Sequence, residues 1–158
     1  MVSLIVHAVL GVAVVALVIR LNPHVFSRPP GPALSGVELA FYLVGLASIP
    51  ICWYFNMRFV ADYAQPGGNP IWGPGSWQEF IALGYTNPAA GSASADYTIA
   101  NVILLPLFTI IDGRRRGIRQ PWLFFVASLF TSFAFAFAFY FATIERQRRH
   151  QQAAVPVS

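Results

Sequence analysis

Residues 112–144 read DGRRRGIRQPWLFFVASLFTSFAFAFAFYFATI, and the fold turns on how that stretch is read. Arg114, Arg115, Arg116 and Arg119 close one apolar run, and Pro121 and Trp122 open the next. The 24 residues from 121 to 144 carry no charge. At ~1.5 Å per residue, a helix of that length crosses the ~30 Å hydrocarbon core of a bilayer. Phe133, Phe135, Phe137, Phe139 and Phe141 alternate with the period of a strand. An isolated strand in lipid would leave its backbone unpaired, so the stretch is expected to be a transmembrane helix over about 121–144.

Composition agrees. The chain has 158 residues, 56% hydrophobic and only 10% charged, the balance of an integral membrane protein. All ten basic residues are arginine and the net charge is +4, concentrated in loops and tail. Phospholipid headgroups are the expected partners of Arg114, Arg115, Arg116 and Arg119, and no aromatic-interleaved basic patch points to nucleic acid. The single cysteine, Cys52, forms no internal disulfide and no redox pair, and reads as a buried structural thiol. His7, His24 and His150 lie in three separate segments without metal-ligand spacing, so neither metal nor cofactor is expected.

Three further helices follow from the apolar runs. The first covers about 2–19 and is retained rather than cleaved, since it has no basic start and no cleavage site. Its Ala8, Gly11, Ala13 and Ala16 admit a close neighbour. His7 within it reads as an interfacial or hydrogen-bonded residue rather than a proton relay or ligand. Residues 20–36 form a loop in which Pro23, Pro29, Pro30 and Pro32 favour extended backbone. Ser35 and Glu38 have capping-box spacing and start the second helix, about 37–57, which Pro50 should bend and Trp53, Tyr54 and Phe55 should anchor. The third runs over about 94–111, capped by Ser94 or Asp96 and interrupted at Pro106. Its Thr98, Asn101 and Thr109, with Asp112, share one face and read as interhelical polar contacts.

The 59–95 segment is long but rich in aromatics, which disordered linkers lack, so it is expected to be ordered, with a short helix at 77–84. Its Trp72, Trp77 and Phe80 are candidates for partner or lipid contact. So are Phe130, Phe133, Phe137 and Phe141 on the last helix, whose Ser128, Ser132 and Ala136, and Ala134, Ala138 and Ala142, form small-residue rows turned inward. The sequence therefore implies an all-α bundle of four transmembrane helices in one domain, 1–145, with a polar basic tail, 146–158.

From about residue 80 to 147 the chain resembles a family of small bacterial integral membrane proteins of unknown function. The matching residues are Asn87-Pro88-Ala89-Ala90, Asp96, Asp112-Gly113-Arg114-Arg115, Gly117-Ile118-Arg119, Trp122 and Glu145-Arg146. The late proline of that family's last helix is absent, where Phe139-Tyr140-Phe141 runs on. The resemblance implies a multi-pass protein of the bacterial cytoplasmic membrane and carries no catalytic residue. In size and helix count the layout is similar to accessory subunits of Mce-type lipid importers. Four crossings put both termini on one side. Positive charge then puts the 114–119 loop in the cytoplasm and both termini outside, with six arginines inside and four outside.

No acid, base or nucleophile constellation is apparent. The favoured reading is a non-catalytic accessory or assembly subunit of a larger membrane complex, a lipid or hydrophobic-solute transporter, contacting larger integral membrane subunits and phospholipid. One alternative is a small membrane enzyme on an isoprenoid or lipid substrate. Its acids would come from Glu38, Asp62, Asp96 and Asp112, no two of which share a motif. A second is a small transporter or channel, kept open by Pro50 and Pro106.

Overall fold

The computed structural model describes residues 2–29 and 31–154, and among them it is helical with no strand. In order come α1 (Val2–Leu21), α2 (Pro23–Phe26), α3 (Gly36–Tyr63), α4 (Trp77–Leu83) and α5 (Pro88–Thr98). A π-helical segment (Ile99–Leu104) joins α5 to α6 (Leu105–Arg115), and α7 (Leu123–Phe130) and α8 (Phe133–Ala154) follow. Pro30 and residues 155–158 of the expected loop and tail lie outside the described residues.

Among the described residues three helices, not four, are long and apolar enough to cross a membrane: Leu4–Leu21, Gly36–Tyr63 and Pro88–Arg115. The expected helix over 121–144 is two helices. Thr131 departs from helical geometry, with φ −118° and ψ −93°. α7 folds back along α8, placing the Phe124 ring centroid 5.4 Å from that of Phe139 and 4.9 Å from that of Tyr140. In one continuous helix Phe124 and Phe139 would stand ~22 Å apart. Hydroxyls serve the backbone at the break. Thr131 Oγ1 donates to the Ala127 carbonyl (2.7 Å), and Ser132 Oγ accepts from the Phe135 N–H (3.0 Å).

This α7–α8 hairpin is the core. Val18 of α1, Leu123 and Phe124 of α7, and Phe135, Phe139 and Tyr140 of α8 bury together, joined by Ile118 of the loop before α7. Leu105 closes on Ala127 and Ala136. α8 packs along α3, and α7 packs on α1 and α6. One glycine on each crossing helix admits the hairpin. A β-carbon at Gly11 would lie 3.0 Å from Thr131 Cγ2, one at Gly45 3.2 Å from Ala138 Cβ, and one at Gly113 2.5 Å from Pro121 Cβ. Phe135 and Phe139, which interrupt the small-residue rows, are core residues, whereas Ala134 faces outward.

The other boundaries have local causes. The Ser35–Glu38 capping box forms. α5 begins earlier than expected because Asn87 caps it, its Oδ1 accepting from the Ala90 N–H (2.9 Å), with Pro88 in the first turn. Pro23 likewise opens the short helix α2 within the segment expected to be extended. Pro50 lies inside α3, which continues to Tyr63. Before Pro106 the helix widens into the π segment, where the Leu105 N–H reaches the Ala100 carbonyl. Cys52, expected to be buried, lies on the outer surface of α3, because the apolar run around it faces outward rather than into the protein.

Hairpin clearance can be tested at the glycines. Gly113→Ala should lower stability by about 1–2 kcal/mol, since the clash with Pro121 exceeds the helix-propensity gain. Gly36→Ala, with open space around it, should cost nothing. Unfolding midpoints in detergent distinguish the two.

Candidate functional site

Because α7–α8 turns back, five segments meet at one end of the bundle: the end of α1, the start of α3, the 114–119 loop, the start of α7 and the last turns of α8. Asn22 fastens the loop. Its Oδ1 accepts from the Arg119 N–H (2.7 Å) and its Nδ2 donates to the Arg119 carbonyl (3.1 Å). Gln147 Nε2 donates to the Arg116 carbonyl (2.5 Å). Nine of the ten arginines therefore gather at this end, and Arg58 lies near the far end of α3.

The centre of this end is Glu38, which is fully buried. Its Oε2 accepts from the Ser35 N–H (2.7 Å) and its Oε1 from Arg146 Nη1 (3.0 Å), while Arg149 Nη1 also donates to Oε2. Arg146 reaches on to the carbonyls of Val25 (3.1 Å), Ala33 (3.1 Å) and Ser27 (2.9 Å), and Arg149 to that of Pro32. The pair thus staples the proline-bearing connection between α1 and α3 to α8. Sequence reading assigned Glu38 to a helix cap and missed its arginines. The signal was present in the three-residue spacing of Arg146 and Arg149, one face of a continuing helix.

A second polar group lies beside it. Asp112 Oδ2 accepts from Arg116 Nε (2.7 Å) and from the Tyr140 hydroxyl (2.9 Å). Arg114, Arg115 and Arg119 are exposed, and Arg116 is held by Asp112.

Of the expected polar face, Asn101 and Thr109 are buried and Thr98 is exposed. Asn101 accepts from Ser128 Oγ of α7 (2.7 Å) and donates to the Tyr97 hydroxyl (3.0 Å). Thr109 Oγ1 donates within its own helix to Pro106 (3.4 Å), and Thr98 bonds Tyr85 of the loop (3.0 Å). The wider turn of the π segment shifts Thr98 out of register with the others. At the hairpin tip Ser132 Oγ meets Ser48 Oγ at 2.7 Å.

The phenylalanines divide. Phe130 packs edge-on to His7, and Phe133 edge-on to Tyr97. Phe141 stacks between Phe41 and Phe108, and Phe137 is exposed.

At the opposite end the aromatic loop is ordered by its own bonds. Asn69 Oδ1 accepts from the Ile71 and Trp72 N–H groups, and Ser76 caps α4. Trp77 Nε1 donates to His7 Nε2 (3.2 Å), and Phe80 packs edge-on to Phe59. Ile71, Trp72, Ile81 and Tyr85 point outward, Trp72 61% exposed.

The four acids weighed for catalysis do not converge. Glu38 is enclosed by arginines and Asp112 is bonded twice, whereas Asp62 pairs with Arg58 on the surface and Asp96 is exposed on α5. Residues 40–146 match the family described as protein of unknown function DUF2834. The chain belongs to that family. The match reaches well before the 80–147 segment that carried the resemblance, taking in most of α3, and covers both helices that hold the hairpin on its α3 and α6 sides. No curated protein and no solved structure matches the chain.

Removing the buried carboxylate strands two arginines. Glu38→Gln should destabilise the protein by about 3 kcal/mol. Arg148→Ala, which breaks only an exposed pair with Glu145, should change little. Thermal unfolding in detergent reads both.

Proposed function

We propose that this chain is a non-catalytic subunit of a larger membrane assembly, one that moves lipid or another hydrophobic solute. The observation that carries the reading is the loop between α3 and α5. It is fixed by its own hydrogen bonds, yet it holds Ile71, Trp72, Ile81 and Tyr85 outward. Rigid, exposed aromatics are what interface anchors require, because little side-chain entropy is lost on docking. The interior supports the same view. The space between the crossing helices is filled by Phe124, Tyr140 and Ala136, and the acids stand apart.

The membrane setting we propose is the bacterial cytoplasmic membrane, with the arginine end in the cytoplasm. Three crossings and a hairpin that enters and leaves on one side put nine arginines in the cytoplasm against one outside. That asymmetry is far larger than the six against four of a four-crossing arrangement, and it moves the end of α8 to the cytoplasmic side.

Purification in mild detergent should yield stoichiometric larger subunits, and the Ile71→Ser, Trp72→Ser double variant should lose them at least tenfold. A monodisperse particle of this chain alone would contradict the proposal. For orientation, Gln65→Cys in a Cys52→Ser background should react with a membrane-impermeant maleimide in intact cells. Labelling only after lysis would reverse it.

A further inference from the structure

An open groove of about 540 Å³ follows the outer seam between α3 and α8. Its floor is made of short side chains, Gly36 and Ala40 on α3, Ala134 and Ala138 on α8, and Phe41 and Phe137 form its walls. Val37 and Val44 border it, and around it the outward positions of α3 carry Leu39, Leu43 and Leu46, all exposed. Lipid-facing helix surfaces are ordinarily filled by such residues, so the run of short side chains makes a recess in an otherwise filled face.

The groove has a direction. At one end Phe133 opens α8 beside the Ser132–Ser48 contact, the turn of the hairpin. At the other, Gly36 stands at the level where Glu38 meets Arg146 and Arg149. From residue 133 to residue 146 is ~20 Å of helix, somewhat more than half of a ~30 Å hydrocarbon core. The recess therefore spans about one leaflet, from the arginine end to mid-depth. The last turns of α8 around its mouth carry Arg146, Arg148 and Arg149 against Glu38 and Glu145, one positive charge in excess, and Arg28 is exposed nearby.

We propose that the groove holds one acyl chain of an anionic phospholipid from the leaflet at the arginine end, with its phosphate at Arg148. Charge selects this occupant over an apolar helix, which would bring nothing to neutralise the mouth. Short side chains in the floor admit the chain at van der Waals distance, and the Phe41 and Phe137 rings flank it. Arg148 is held against Glu145 by two hydrogen bonds of 2.9 and 2.8 Å through Nε and Nη2, which direct its guanidinium, while the excess positive charge comes from Arg146 and Arg149 sharing Glu38 and from Arg28. The inference rests on the membrane reading and not on the subunit reading. Loss of lipid with partners retained, or the reverse, separates the two.

The test uses the full chain reconstituted in equal phosphatidylglycerol and phosphatidylcholine, re-extracted in mild detergent and analysed by native mass spectrometry. The wild type should retain one phosphatidylglycerol per chain. Ala134→Trp, which fills the recess from an exposed position, should lower occupancy at least tenfold, and Ala40→Leu does the same from α3 if the tryptophan variant does not fold. Arg148→Gln should keep a lipid but lose the preference for phosphatidylglycerol over phosphatidylcholine. The proposal is overturned if the wild type carries no lipid, or if both filling variants retain it undiminished. A wild-type dimer that Ala134→Trp dissolves would overturn it too, assigning the groove to a second copy.

Discussion

A turn inside a bilayer has no water to receive its backbone, so it can exist only where protein encloses it. In the membrane setting proposed for this chain, that constraint governs the molecule. The α7–α8 hairpin turns at Thr131–Ser132, and its own hydroxyls satisfy part of the opened backbone. The rest is shielding: α1 approaches at Gly11, α3 at Gly45 with the Ser48 contact, and α6 beside Ala127 and Tyr140. The crossing helices keep 11–17% of their spanning windows buried in protein. They are held mainly by what lies between them.

The reversal also decides where charge goes. A hairpin returns the chain to the end it came from, so the arginines on both sides of it meet. Two then turn inward to Glu38, and Arg116 turns to Asp112, while Arg114, Arg115 and Arg119 stay exposed. Bringing Arg146 and Arg149 onto one buried carboxylate is tolerable because each has further carbonyl partners, which offset the loss of water.

Most of the helical content was legible from residue type. The apolar runs gave α1 and α3, the Ser35–Glu38 spacing gave a cap, and the aromatic content of the long loop pointed to order and to α4. The hairpin was not legible. An uncharged run of 24 residues serves one crossing or two short arms equally well, and neither glycine nor proline marks Thr131–Ser132. The misreading then propagated. It set the parity of crossings and split the arginines between two sides, whereas the inward-turned small-residue rows are buried except at Ala134. The π segment was invisible for a related reason. A proline announces a lost hydrogen bond but not whether the helix kinks or widens.

The hairpin can be measured directly by the distance between spin labels at Trp122→Cys and Arg148→Cys, both on exposed positions, in a Cys52→Ser background. A chain that reverses at Thr131 brings the two labels within roughly 20 Å, given that packed helices lie 8–10 Å apart. A single helix through this region would set them ~39 Å apart. A dominant population at that longer distance in liposomes would contradict the account.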